Sequence, residues 1–149
     1  MEQEKKIILL AGPTASGKSK LAIKLAKYLN GEIINADSMQ IYKEFSILTS
    51  KPSLKEEQLT KHHLYGIHSV KKKFSTGHWL EIAIKKIEDQ WEKDKTPIIV
   101  GGTGLYFKAL TDGLVKIPEI PIIIKNQTRK LHKEIGQKEF FNQLIKLDP

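Results

Sequence analysis

Gly12-Pro-Thr-Ala-Ser-Gly-Lys-Ser19 sets two glycines, a lysine and a hydroxyl residue at the spacing G-x-x-x-x-G-K-[ST]. Such a loop aims successive backbone N–H groups at phosphate oxygens. The lysine adds a full positive charge, and the terminal hydroxyl is a ligand for Mg²⁺. Gly12, Pro13, Thr14, Ala15, Ser16, Gly17, Lys18 and Ser19 are therefore expected to hold a phosphate chain, with the metal at Ser19. A phosphate cradle does not say which phosphate. Enzymes with this loop commonly carry an Asp at the end of a second apolar strand. Pro97-Ile-Ile-Val-Gly-Gly102 ends in glycines, which leaves Glu32-Ile-Ile-Asn-Ala-Asp37 as the apolar run that ends in a carboxylate. Asp37 then has three roles open to it: metal ligand, general base or turn former.

The elements that must position these groups follow from periodicity. Ile7 to Ala11 is a short apolar run bounded by Gly12-Pro13, which predicts a strand buried on both faces of a parallel sheet. Leu21, Ala22, Leu25, Ala26 and Leu29 recur at helical spacing from Lys18, and Asn30-Gly31 stops the helix. Glu32 to Ser38 reads as the next strand, completing a βαβ unit with Asp37 at the sheet edge that carries the phosphate loop. Pro52 and the charged run after it mark a loop and a short helix, and residues 62–70 read as a further strand. Trp79, Ile82, Ala83, Ile87 and Trp91 form a helical stripe for packing on the sheet. Residues 97–102 are the clearest remaining buried strand, followed by a helix over 105–114. Pro118 and Pro121 then break regular structure, and a basic helical segment with one glycine interruption runs from Lys125. The expected fold is α/β, a P-loop NTPase-like parallel sheet flanked by helices over residues 1–117, with the start of a helical insertion over 118–149.

At 149 residues with 25 Lys and Arg against 17 Asp and Glu, the net charge is +8, which suits an acidic partner or an ordinary lysine-rich surface equally well. The absence of cysteine excludes a disulfide framework and a zinc–thiolate site. The five-residue apolar run near the N-terminus is too short for a signal or membrane span, so a cytoplasmic protein with no membrane contact is expected.

Four stretches taken together, 12–22, 31–53, 62–64 and 97–114, resemble in order and spacing the motif series of bacterial tRNA dimethylallyltransferases. The phosphate loop by itself is common, whereas the loop with Ala36-Asp-Ser-Met-Gln-Ile-Tyr42 and Gly101-Gly-Thr-Gly-Leu-Tyr106 is far more specific. The resemblance implies that Gly12 to Ser19 hold the diphosphate of dimethylallyl diphosphate, with Mg²⁺ at Ser19. It implies transfer of the five-carbon group to N6 of the adenosine next to the anticodon. Asp37 corresponds to the residue taken as general base, and Asp37, Ser38, Met39 and Gln40 fall where the family contacts the flipped-out adenosine. Thr103 and Lys125 match positions that touch the tRNA, Lys125 standing where many members carry Arg. The chemistry suits these residue types: N6 is a poor nucleophile that a carboxylate can sharpen, and diphosphate leaves well only when its charge is neutralised by groups such as Lys18. A monomer acting on the tRNA anticodon arm is implied.

The family's chains are longer than this one, so the sequence reads as truncated, with activity of this polypeptide by itself in question. Beside an isopentenyltransferase acting on free adenine nucleotides, which the long basic tail disfavours, two alternatives remain at this level. A small-molecule kinase would use the same loop, although its lid needs arginines and Arg129 is the single arginine here. A non-catalytic remnant binding phosphate or RNA is the other. His62 and His63 read as structural more than catalytic; Tyr42 and Tyr106 as half-buried aromatics more than base-stacking groups; Lys71 to Lys73 as a solvated cluster.

Overall fold

Strands rich in β-branched residues form one parallel sheet: β1 (Ile8–Ala11), β2 (Gly31–Asn35), β3 (His62–His63) and β4 (Thr96–Gly101), in the order β1-β4-β2-β3. A computed structural model describes residues 5–115, 118 and 120–148. Helices α1 (Lys18–Tyr28), α2 (Leu54–Glu57), α3 (Thr76–Trp91) and α4 (Gly104–Asp112) complete a first unit, Met1–Leu114. The second unit, Val115–Pro149, consists mainly of α5 (Ile122–Leu147), which breaks at Gly136, where φ is 77° and ψ 168°. The boundary expected at 117–118 falls on Ile117, which lies outside the described residues.

Alternation along β2 and β4 sends side chains to two separate cores. Ile33, Ile98 and Val100 meet Ala22, Ile23 and Ala26 of α1 on one face. Ile34 and Ile99 meet Trp79, Ala83 and Ile87 of α3 and Tyr106 of α4 on the other. The expected helical stripe on α3 is thus its packing face, and Tyr106 is a core residue, its ring stacked on Trp79 at 4.2 Å and 10°. Burial pushes the Tyr106 phenol up to about 12, so it stays protonated at neutral pH.

Three expectations need correction. β1 is not buried on both faces. The strand order puts it at the sheet edge, where Ile8 and Leu10 pack toward α1 while Leu9 is left 42% exposed. β2 ends at Asn35 rather than Ser38, because the Asn35 side chain captures the backbone of Asp37 and turns the chain out of the sheet. The strand read over 62–70 is reduced to His62–His63 and a single bridge between Tyr42 and His68. Leu64 and Gly66, with φ of 64° and 59°, turn the backbone out of the extended region between them.

Candidate functional site

The phosphate loop leaves β1 at Ala11 and enters α1 at Lys18. Ala15 and Gly17 have positive φ, 63° and 84°, and Gly17, the residue that caps α1, takes that conformation without a Cβ penalty. Lys18 Nζ donates to Pro13 O at 2.5 Å and lies 3.4 Å from Ser16 Oγ, so the ammonium is folded over its own loop. Thr14 to Ser19 line a cavity of about 840 Å³ together with Asp37, Met39 and Gln40, and Phe45 and Leu48 give it an apolar side.

Asp37 is held by its backbone and by one oxygen. Its N–H donates to Asn35 Oδ1 at 2.9 Å, and its carbonyl accepts from Asn35 Nδ2 at 2.9 Å. Nδ2 also donates to Leu64 O at 3.2 Å, so the fully buried Asn35 amide has a partner for each of its polar atoms. The Trp79 indole N–H donates to Asn35 O at 2.9 Å, which ties this turn to α3. In the Asp37 carboxylate, Oδ1 accepts from Met39 N at 2.9 Å, whereas Oδ2 has no hydrogen bond among the described residues. One oxygen therefore forms the turn and the other is available for chemistry.

Ser38 N donates to Thr103 Oγ1 at 2.9 Å, and Thr103 Oγ1 donates to Ser38 Oγ at 3.3 Å, joining the turns after β2 and β4. Gln40 Nε2 donates to Thr49 O at 2.7 Å and Ser50 O at 3.2 Å, holding the segment that carries Leu48. Met39 is 55% exposed. Gly12 and Pro13 open the loop, and Lys125 sits in the first turn of α5 in the second unit, solvent-exposed. The structure thus assembles the loop, Asp37, Met39 and Gln40 around one cavity, with Ser38 and Thr103 bonded to each other beside Asp37.

Sequence reasoning missed Asn35, whose signal was a polar side chain closing an apolar strand. It also missed Phe45 and Leu48, which carry no motif. His62 and His63 serve the sheet edge: His63 Nε2 lies 2.7 Å from Glu32 Oε2 and His62 Nδ1 2.9 Å from Thr60 O. Burial holds His62 below its ordinary value of 6.5. A folded state that prefers neutral imidazole keeps that stabilisation above pH 6.5 and loses it as the pH falls toward the depressed folded value. Melting followed by circular dichroism is expected to show a drop between pH 7.5 and 5.5 that His62→Gln reduces. An equal drop in that variant would remove His62 from the account.

The hard oxygens of Ser19 and Asp37 on this cavity fit Mg²⁺, which takes few protein ligands and completes its shell with water and phosphate. Among the described residues no group of three or more His, Cys, Asp or Glu could hold a metal by protein ligands alone. No described helix is long and apolar enough to cross a membrane.

Comparison with known proteins gives a consistent result. Residues 40–149 match the family model described as IPP transferase. The tRNA dimethylallyltransferase of Pelagibacter ubique (strain HTCC1062) is 58% identical over 149 residues, covering 100% of this chain and 48% of the relative. That of Rickettsia bellii (strain OSU 85-389) is 48% identical over 147 residues, covering 99% and 47%. Among solved structures, the full-length tRNA isopentenylpyrophosphate transferase of Bacillus halodurans has a TM-score of 0.73 at 33% identity, covering 98% of this chain and 48% of that one. A eukaryotic dimethylallyltransferase acting on tRNA reaches 0.83 at 33% identity, covering 97% and 36%. The chain spans about half the length of the curated relatives it matches.

Proposed function

The chain belongs to the IPP transferase family, and from that membership we propose that it carries the reacting half of a tRNA dimethylallyltransferase. The reaction is transfer of a dimethylallyl group from dimethylallyl diphosphate to N6 of the adenosine adjacent to the anticodon, in the cytoplasm. One observation carries this reading: the phosphate loop and Asp37, whose Oδ2 makes no hydrogen bond among the described residues, line the same cavity.

Gly12 to Ser19 bind the diphosphate through backbone N–H groups, and the Lys18 ammonium moves from the Pro13 carbonyl to a phosphate oxygen. Phe45 and Leu48 supply apolar surface for the five-carbon chain. The adenine enters beside Asp37 to Gln40 after leaving its stack in the RNA loop, at a cost of a few kcal/mol. As the N6–carbon bond forms and the carbon–oxygen bond to diphosphate breaks, the N6 proton passes to Asp37 Oδ2. Lys18 and the loop amides take up the charge growing on the leaving diphosphate. Ser19 would hold Mg²⁺, which when bound would supply further neutralisation of that charge. Thr103 holds Ser38 in place at the adenine side. The exposed Lys125, Arg129 and Lys133 of α5 offer contacts to tRNA phosphates as the beginning of a tRNA-binding insertion.

The test is incubation with tRNA and labelled dimethylallyl diphosphate, for this chain and for a version completed with the second half of the Pelagibacter relative. Label in tRNA supports the reading. A completed, folded chain that transfers nothing sinks it.

A further inference from the structure

Outside the cavity just described, the segment between β3 and α3 builds a second cleft of about 600 Å³, a size typical of small-ligand sites at roughly 300–1,000 Å³. Tyr42, Phe74 and His78 supply its aromatic walls and Lys71, Lys72 and Lys73 its cationic rim. The rings form a connected set. His68 lies 4.8 Å from Phe74 and 6.3 Å from Tyr42 between centroids, and Phe74 lies 5.0 Å from His78.

The walls are fixed by the backbone. Tyr42 and His68 form a bridge, with Lys43 N donating to His68 O at 2.8 Å and His68 N to Ile41 O at 3.1 Å. The lysine turn is pinned at its start, where Glu44 accepts from Ser69 Oγ at 2.6 Å and Val70 N at 3.3 Å, and Lys72 N donates to Ser69 O at 3.1 Å. Glu44 spends its carboxylate on that turn. None of the three lysine ammonium groups is paired with a carboxylate among the described residues. His78 and all three lysines are exposed, and Phe74 and Tyr42 are half-buried, so rings and charges both reach solvent.

Flat π-faces beside a run of unpaired cations match a base with its flanking phosphates, because stacking is tolerant of sequence and the cations track the backbone. An acidic peptide would use the charges and leave the rings idle. We propose that this cleft is an RNA contact separate from the phosphate-loop cavity, stacking an unpaired base on Phe74 and His78 while Lys71 to Lys73 hold the adjoining phosphates. The proposal deepens the transferase reading and rests on it for the identity of the partner.

Binding of a fluorescent tRNA transcript to the full chain, followed by anisotropy over a range of salt, tests the cleft without requiring transfer. Each phosphate contact contributes about 0.7 to 0.9 to the slope of log affinity against log salt. Lys71→Gln/Lys72→Gln/Lys73→Gln is expected to lower that slope by about 1 to 2, each lysine contributing at most one contact. Phe74→Leu, which keeps apolar volume and removes the ring, is expected to weaken binding about tenfold with the salt slope unchanged. Melting curves of both variants confirm that the fold is kept, and because the lysines are exposed the triple variant remains informative if Phe74→Leu misfolds.

Unchanged affinity and slope in the triple variant would overturn the proposal, as would wild-type chain that binds no tRNA. Free adenosine monophosphate competing as well as tRNA, nucleotide for nucleotide, would also overturn it in favour of a mononucleotide pocket. Binding of dimethylallyl diphosphate, measured separately by calorimetry, separates the two failures. If it binds while the variants bind tRNA like wild type, only the cleft falls. If it does not bind, the transferase reading fails as well.

Discussion

Asp37→Asn in a completed chain is expected to slow dimethylallyl transfer by about 10² to 10⁴-fold, the range lost when a positioned general base is removed. The substitution is informative because it preserves shape. The Asn side-chain oxygen can still accept from Met39 N, as Oδ1 does at 2.9 Å, and the backbone bonds to Asn35 do not involve the side chain of residue 37. The turn therefore survives while the group at the Oδ2 position loses its capacity to take a proton. Single-turnover rates with saturating dimethylallyl diphosphate would read the chemical step, and calorimetry of the same ligand would show donor affinity within about threefold of wild type. Raising magnesium separates base from metal ligand. A rate restored by tenfold more magnesium would assign Asp37 to the metal, and a rate near wild type would leave it a turn former.

How much of this was legible in the sequence depends on how local the determining physics is. The phosphate loop was legible because its function resides in eight consecutive residues whose spacing sets backbone N–H directions. Helices α1 and α3 were legible from their apolar stripes, α4 from its place after the buried strand and its glycine turn, and Gly136 from its interruption of α5. The position of β1 was not, because an apolar run reads alike at the centre and at the edge, and strand order is a long-range property. His62 to Val70 failed for a different reason: Leu64 takes a left-handed φ that a residue with a bulky side chain seldom adopts, so its type gives no sign of the turn. At the site, Asp37 was found with three roles attached. The division of labour between its oxygens appeared only with Met39 N in place. Asn35 was only half legible: its bonds to the Asp37 backbone are local, whereas Leu64 O and the Trp79 indole, which complete its burial, lie far along the chain.

Gly101→Ala is expected to abolish cooperative folding of this chain, or to lower its melting temperature by more than about 15 °C, while Gly102→Ala melts close to wild type. A Cβ at Gly101 would stand 2.1 Å from Ala36 O, 2.2 Å from Ala36 C and 2.8 Å from Ala36 Cα, all backbone atoms with no rotamer to escape into. The strand ends are tied at this point: Ala36 N donates to Val100 O at 2.7 Å and Thr103 N to Ala36 O at 3.2 Å. Ala36 is fully buried, and the residues on either side are fastened by the Asn35 amide. Relieving the clash means driving β2 from β4 and breaking both bonds. Overpacking costs about 1–3 kcal/mol and each orphaned buried group about 1–3 more, against a total stability of about 5–15 kcal/mol for an ordinary domain. A Cβ at Gly102 meets Gly12 O at 3.4 Å and Asp37 Oδ2 at 4.0 Å, which is ordinary contact. The methyl there sits beside the proton-accepting oxygen, so Gly102→Ala should fold normally and slow transfer by crowding the base. A Gly101→Ala chain that melts within a few degrees of wild type would show that the turn after β2 can move. Asp37 would then be held less firmly than its hydrogen bonds indicate.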